Sequence, residues 1–326
     1  MTRPADLPEA LRDGPFDVQS AQAQGVNRGR LRRSDLRQSF RGVRAQARPA
    51  VEPGIPGRHE SLKALWVRAY AASDALAREY AVRMPGDQYF SHLTAAFLHG
   101  LPLPNRLREY SMIDAATSVR TRRRTGTKVR GHLIPADSVT VVDVGGLPVA
   151  SVVDTWRQLC TTLTLDELII MGDALVCRQR PPATMAELED AVGRQAGRPG
   201  ARLLREAFRH VRPCTDSPRE TVLRLIILRA GLPEPEVNGE ILGRFGEFLA
   251  WGDLLYRRYK VLTEYDGEGH REDEKQFHRD VDRLDALMEE NWRVIRYNKS
   301  HLGPRKNEIE GRIRRALIER GWHPPS

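Results

Sequence analysis

The sequence predicts an α/β domain over about residues 216–321, in the order helix, three strands, helix, strand, helix (αβββαβ), joined to an α+β N-terminal region. Three observations carry this. Ser217-Pro218-Arg219-Glu220 is a helix-start signature. Alternating stretches between Glu236 and Asp266 are split by Gly243-Arg244 and by Arg257-Arg258-Tyr259. A charged amphipathic segment, Arg271 to Glu290, precedes the short apolar run Trp292 to Tyr297.

The chain has 326 residues, which suits two or three domains, and its composition divides it into residues 1–50, 59–198 and 203–326. In the first section, Ser20 to Gln24 is expected as a short helix ended by Gly25. Asn27 caps a second helix through Leu31, and Leu36 to Val43 return as strands. That order, with Arg28, Arg30, Arg32, Arg33, Arg37 and Arg41 along it, is the outline of a winged helix-turn-helix whose arginines would contact DNA. PAVEPGIPGR, residues 49–58, is a Pro/Gly linker.

In the middle section, helices are expected over Ser61 to Arg83, within 91–104, and from Ser151 to Leu175 with a break at Thr164. Strands are expected near residue 110 and from Thr140 to Val144, with Gly145-Gly146 as a hairpin turn. A basic stretch, RTRRRTGTKVRGH, fills 120–132. His92 and His99 lie among apolar neighbours and read as packed histidines.

The third section carries the chemistry. A helix from Ser217 presents Leu223, Ile226 and Ile227 and stops at Gly231. Strands follow over Glu236 to Leu242, Gly246 to Tyr256 and Lys260 to Asp266. The next helix carries Phe277, Val281, Leu284, Leu287 and Met288 on one side, and Lys306 to Arg320 forms the last helix. Asp253 falls within the second strand, and Glu264 and Asp266 share one side of the third. Carboxylates in apolar strands cost desolvation unless something positive compensates them. Mg²⁺ or Mn²⁺ would, since two or three carboxylates and several waters satisfy such a hard cation. His270, four residues past Asp266, is placed to take a proton from a metal-activated water. For Glu220, helix cap and ligand are equal readings. Asp280 and Arg283 read as an exposed ion pair, and Trp292 as core.

Ser217-Pro218-Arg219-Glu220, Asp253, Glu264-Tyr265-Asp266-Gly267-Glu268-Gly269-His270, Asp280 with Arg283, and Asn291-Trp292-Arg293-Val294-Ile295-Arg296 together resemble the DUF559 family. That family is similar to the very-short-patch repair endonucleases and to the PD-(D/E)xK nucleases. The resemblance covers about a third of the chain. It implies a restriction-endonuclease-like core and a metal-dependent endonuclease site, with Glu220 as the helix acid, Asp253 and Glu264 as metal ligands, and His270 as base. The sequence departs from the pattern twice. Asp266 stands where lysine is usual, so Lys260 or Lys275 would have to supply that charge. Gly252 stands before Asp253 where a branched residue or proline is usual, which would loosen the strand. The Arg-rich start, SHLTAAFLHGLPLP and LPVASVVDTWRQL resemble the AbiEi-type antitoxin family. That implies a DNA-binding regulator with a toxin or other defence-system partner.

Composition agrees with a nucleic-acid partner. Lys and Arg number 52 against 43 Asp and Glu, a formal +9, and the pI is near 9.8. Three cysteines without a CxxC pair suggest reduced thiols and no thiolate metal site. No leader or membrane-spanning run is evident, so a soluble cytoplasmic protein is expected, either a DNA-cleaving enzyme or a non-catalytic DNA-binding regulator.

Overall fold

The computed structural model describes residues 6–47, 61–266 and 274–324, with the backbone alone for 274–278. The chain is mixed α/β and forms two compact units, Met1–Leu159 and Cys160–Ser326. This division lies earlier than the boundary near 198–203 expected from composition.

The first unit opens with β1 (Phe16–Asp17) and α1 (Val18–Ala23), whose N-terminus is capped by the Asp17 carboxylate. After Gly25 turns the chain with φ +83°, the Asn27 side chain accepts the Arg30 N–H at 2.8 Å. The helix expected there is only a 3₁₀ turn, Arg30–Arg32. Its growth stops because Arg30 forks onto Asp35 (3.0 and 2.7 Å) and Arg44 takes the Leu31 carbonyl. β2 (Leu36–Arg37) and β3 (Val43–Gln46) complete a three-stranded sheet, order β1-β3-β2.

Next comes α2 (Leu62–Ala81), capped by Ser61, then β4 (Tyr89–Phe90), α3 (His92–Leu98), β5 (Ile113–Thr117), β6 (Val129–Leu133), β7 (Val141–Val144), β8 (Leu147–Ala150) and α4 (Val152–Gln158). The strands form a sheet of order β6-β5-β4-β8-β7, in which β6, within the basic stretch, is an edge strand not foreseen. Gly145 and Gly146 both have positive φ and close the β7–β8 hairpin as expected. His99 bonds the Ala150 carbonyl at 2.7 Å, and His92 stacks on His132 with ring centroids 3.7 Å apart. Burial lowers the pKa of both His92, to about 3, and His99.

The second unit begins with α5 (Leu165–Leu175), which starts at a full Thr164/Glu167 capping box. α6 (Met185–Arg194), α7 (Ala201–His210) and α8 (Pro218–Arg229) follow, then β9 (Glu236–Leu242), β10 (Phe248–Tyr256), β11 (Val261–Tyr265), α9 (Glu274–Glu289), β12 (Arg293–Tyr297) and α10 (Asn307–Glu319). The sheet order is β12-β11-β10-β9. The first three strands run antiparallel in sequence, and β12 lies parallel to β11 because a helix intervenes.

Leu223 and Ile227 of α8 and Ile309, Ile313 and Leu317 of α10 share a core with Leu254, Tyr256, Val261, Ile295 and Tyr297. A separate core joins Leu287 of α9 to Ile241, Ala250, Leu255, Leu262 and Trp292. Trp292 is therefore core, as its sequence suggests. Val281 and Met288 are exposed, so the buried stripe of α9 is narrower than its periodicity indicates. No described helix is long and apolar enough to cross a membrane.

Candidate active site

Asp253 sits where the sheet ladder is interrupted. β10 pairs with β9 at Gly252↔Gly239 and Leu254↔Val237, and with β11 from Leu254↔Thr263 onward, but Asp253 takes part in neither set. Its Oδ2 instead accepts the Tyr265 N–H at 2.8 Å, so a side chain replaces a main-chain acceptor where the strands part. On the β9 side, Asn238 lies opposite the gap with φ +43°. Asn238 is buried and donates through Nδ2 to Glu220 Oε2 at 2.9 Å.

Glu220 lies in the first turn of α8. Its N–H is capped by Ser217 Oγ at 3.3 Å, and its carboxylate accepts the Asp216 N–H at 2.9 Å. Glu220 thus joins the start of α8 to β9, and its charge bears on Asp253. Burial first, then the neighbouring Glu220 carboxylate, and to a lesser degree Glu264, push Asp253 up to about 7. The Tyr265 N–H and Arg283 oppose this.

Glu264, on β11, is buried, and both of its oxygens are held by Arg283 of α9, at 2.6 and 3.0 Å. Arg296 of β12 is its register partner across the parallel ladder and brings Nε to 3.8 Å. Arg296 also bonds Asp280 at 2.8 Å, and Asp280 lies 3.5 Å from Arg283. The pair read as an exposed surface contact is half of a four-membered ionic network around a buried carboxylate. Arg283 and Asn238 are the site residues that sequence reasoning missed; for Arg296, lining the site and lying at the surface are equal readings of the sequence, and it reaches Glu264. Arg283 and Arg296 stand in the motif that carries the family resemblance, but only the parallel β11/β12 register reveals what they touch.

The remaining candidates separate. Asp266 is one residue past β11, and its N–H donates to the Tyr297 carbonyl at 2.6 Å. Lys260 is not in the strand: it occupies the left-handed region at φ +46°, and its Nζ donates to the Glu290 carbonyl at 2.8 Å. It stands four residues before Glu264, about 13 Å away along a strand, so it does not replace the missing lysine. His270 and the Lys275 side chain lie outside the described residues. Gly252 still pairs with Gly239, and the ladder is interrupted only at the next residue. A Cβ at Gly252 would come within 2.6 Å of Leu262 and 2.8 Å of Leu255, so large neighbours fill the space a branched residue would need.

Among the described residues no three of His, Cys, Asp and Glu converge as a metal-ligand cluster. The chemistry of the donor set nevertheless suits a hard cation in reduced form. Asp253 is pressed by two carboxylates and answered chiefly by one N–H. Glu264 gives each oxygen to one guanidinium N–H, which leaves further lone pairs. Two carboxylates plus waters are a sufficient set for Mg²⁺.

Of the N-terminal arginines, Arg28, Arg32, Arg33 and Arg41 are exposed. Arg30 is tied to Asp35, and Arg37 pairs with the buried Glu79. These two serve the fold.

No family model matches the chain. It is 27% identical, over 277 residues, to the uncharacterized protein MT2308 of Mycobacterium tuberculosis (strain CDC 1551 / Oshkosh), covering 80% of this chain and 94% of that one. The same figures hold for the uncharacterized protein Rv2248 of Mycobacterium tuberculosis (strain ATCC 25618 / H37Rv). The match is longer than either compact unit, so it draws on both.

Proposed function

We propose that the second unit is a divalent-metal-dependent endonuclease domain of the PD-(D/E)xK kind acting on DNA, and that the N-terminal winged-helix-like segment helps to hold the substrate. The observation that carries this reading is the pairing of Asp253 and Glu264. Two adjacent central strands bring two acids to the point where their ladder opens, and burial together with the neighbouring Glu220 carboxylate raises the pKa of one of them, Asp253, to about 7. The helix–three strands–helix–strand–helix order, with β12 parallel to β11, supports the same fold assignment.

Asp253 and Glu264 are the residues that would hold Mg²⁺ or Mn²⁺. Such an ion polarises a phosphoryl oxygen and lowers the pKa of bound water. Glu220 and Asn238 position Asp253 from the α8 side by fixing the geometry of the gap. Arg283 and Arg296 orient Glu264, and their guanidinium groups are the right shape for phosphate oxygens. Exposed Arg28, Arg32, Arg33 and Arg41 would contact the DNA backbone.

A second reading is a non-catalytic DNA-binding regulator of the antitoxin type, with a toxin partner and a degenerate nuclease domain. It is favoured by one feature: Glu264 is gripped by Arg283, while Lys260 is committed elsewhere. A supercoiled-plasmid assay with Mg²⁺ or Mn²⁺ separates the two. Wild-type protein is expected to nick or linearise the plasmid, and Asp253→Ala and Glu264→Gln to abolish this. Absence of any metal-dependent, Asp253-dependent cleavage leaves the regulator.

A further inference from the structure

We propose that residues 120–130 of the first unit form a second, sequence-independent binding surface for the phosphodiester backbone of nucleic acid. No acid occurs between Asp114 and Asp137. Within that interval Arg120, Arg122, Arg123, Arg124, Lys128 and Arg130 are all exposed. Residues 120–128 consist solely of Arg, Thr, Gly and Lys. Every side chain there except glycine is a hydrogen-bond donor, and none is an apolar anchor of the kind that seats a segment in a lipid surface.

The segment is built rather than loose. Buried Gln88 receives the Tyr80 hydroxyl proton at 2.8 Å and donates Nε2 to the Arg122 carbonyl at 2.7 Å. Asp87 accepts both Thr117 Oγ1 (2.7 Å) and Arg122 Nη1 (2.8 Å). Gly126 and Val129 exchange main-chain hydrogen bonds at 2.8 and 3.2 Å. A Cβ at Gly131 would overlap the Arg124 carbonyl oxygen, so the glycine lets the loop lie against β6. One arginine is thus spent as an anchor. Among the described residues, no carboxylate lies within ion-pair distance of Arg120, Arg123, Arg124, Lys128 or Arg130. A fixed cluster of like charges repels itself, and a polyanion relieves that repulsion with release of its counterions. This surface uses none of the residues of the acidic site and none of the N-terminal arginines, and it does not rest on the nuclease reading.

The test is binding of the full chain to a fluorescein-labelled 20-base-pair duplex, by anisotropy across a KCl series with EDTA present, so that cleavage plays no part. The quadruple variant Arg120→Gln, Arg123→Gln, Arg124→Gln, Lys128→Gln should bind at least tenfold more weakly. Its slope of log K against log salt should be shallower by about 3.6, at roughly 0.9 for each of the four phosphates that the variant no longer neutralises. Gly131→Val keeps every charge but displaces the loop, and should also weaken binding while the protein stays folded by circular dichroism. A charge-matched control, Arg202, Arg205, Arg258 and Arg315 to Gln, should lose less. Equal losses in the quadruple and its control would overturn the proposal, as would an unchanged slope. So would binding of the segment to vesicles of 30% phosphatidylglycerol in phosphatidylcholine in preference to the duplex.

Discussion

Arg283 holds both oxygens of Glu264, at 2.6 and 3.0 Å, across the interface between α9 and the central strand β11. The carboxylate is only 6% exposed, so the fork is its main compensation, with Arg296 at 3.8 Å a weaker one. Removing one partner of a buried pair leaves an uncompensated charge, which costs roughly 3–5 kcal/mol where nothing else helps. With Arg296 nearby, Arg283→Ala should lower stability by about 2–3 kcal/mol. Glu264→Gln combined with Arg283→Met should recover most of that. Urea unfolding midpoints at constant m-value measure both; a cost below about 0.5 kcal/mol for the single variant would mean the fork contributes little.

Asp253 makes stability depend on pH in a direction unusual for a carboxylate. Its folded-state pKa, about 7, lies above the unfolded value of roughly 3.9. The folded protein therefore binds the proton more tightly, and the group's contribution is fully present below about pH 4 and lost as pH rises through 7. Asp253→Asn should abolish this dependence. The stability difference between Asp253→Asn and wild type should rise in the variant's favour between pH 4.5 and 7.5, by on the order of 3 kcal/mol, and level off above. A difference that stays flat across that range would show the carboxyl to be ionised throughout.

If Asp253 and Glu264 hold a divalent cation, the ion binds the folded state alone and stabilises it by mass action. At pH 8, 10 mM Mg²⁺ or Mn²⁺ should raise the Tm of the wild type by a few degrees and leave that of Asp253→Asn unmoved. Calorimetric scans provide the comparison, independently of any turnover.

Asp173 and Arg224, both fully buried, tie α5 to α8 at 2.7 Å. Asp173 also accepts Thr221 Oγ1 and the Arg212 N–H, each at 2.8 Å. Burial raises its pKa, so it depends on these partners to stay charged. Arg224→Met should destabilise the protein by about 3–5 kcal/mol, read as a drop in urea midpoint.

The same pair yields a prediction about fragments. Residues 160–326 should fold as a cooperative unit, since they retain Asp173 with Arg224. Residues 203–326, the piece that composition suggests as a domain, lose Asp173 and the Asp166 that pairs with Arg229. Thermal unfolding should show a sharp transition for the first and a broad or missing one for the second. Equal cooperativity would place α5 and α6 outside the folding unit.

Much of the fold is legible in short stretches of sequence. Ser217-Pro218, Thr164 with Glu167, and Gly145-Gly146 each set a local boundary through groups only a few residues apart, and the elements begin or turn there. β9 is recovered to the residue, because Gly243 and the Pro-rich stretch before Glu236 bound it. The second N-terminal helix is not recovered: Asn27 caps it correctly, but Asp35 and Arg44 draw its carbonyl and arginine into other bonds. β6 is likewise obscured, since a strand of Val-Arg-Gly-His-Leu has little apolar alternation and exists by pairing with β5.

Of the acidic site, the sequence alone determined which residues are chemically unusual: Asp253, Glu264 and Asp266, carboxylates in apolar strands that owe a desolvation cost. Only the tertiary structure decided how that cost is met. Glu264 is compensated by Arg283, 19 residues on, and Asp253 by the main chain of Tyr265, 12 residues on, while Lys260 turns away to Glu290. Periodicity and caps are written in neighbouring residues, because they act through one turn of backbone. Charge compensation is decided by whichever distant groups the strand register brings within a few ångströms, and that register is a property of the packed sheet.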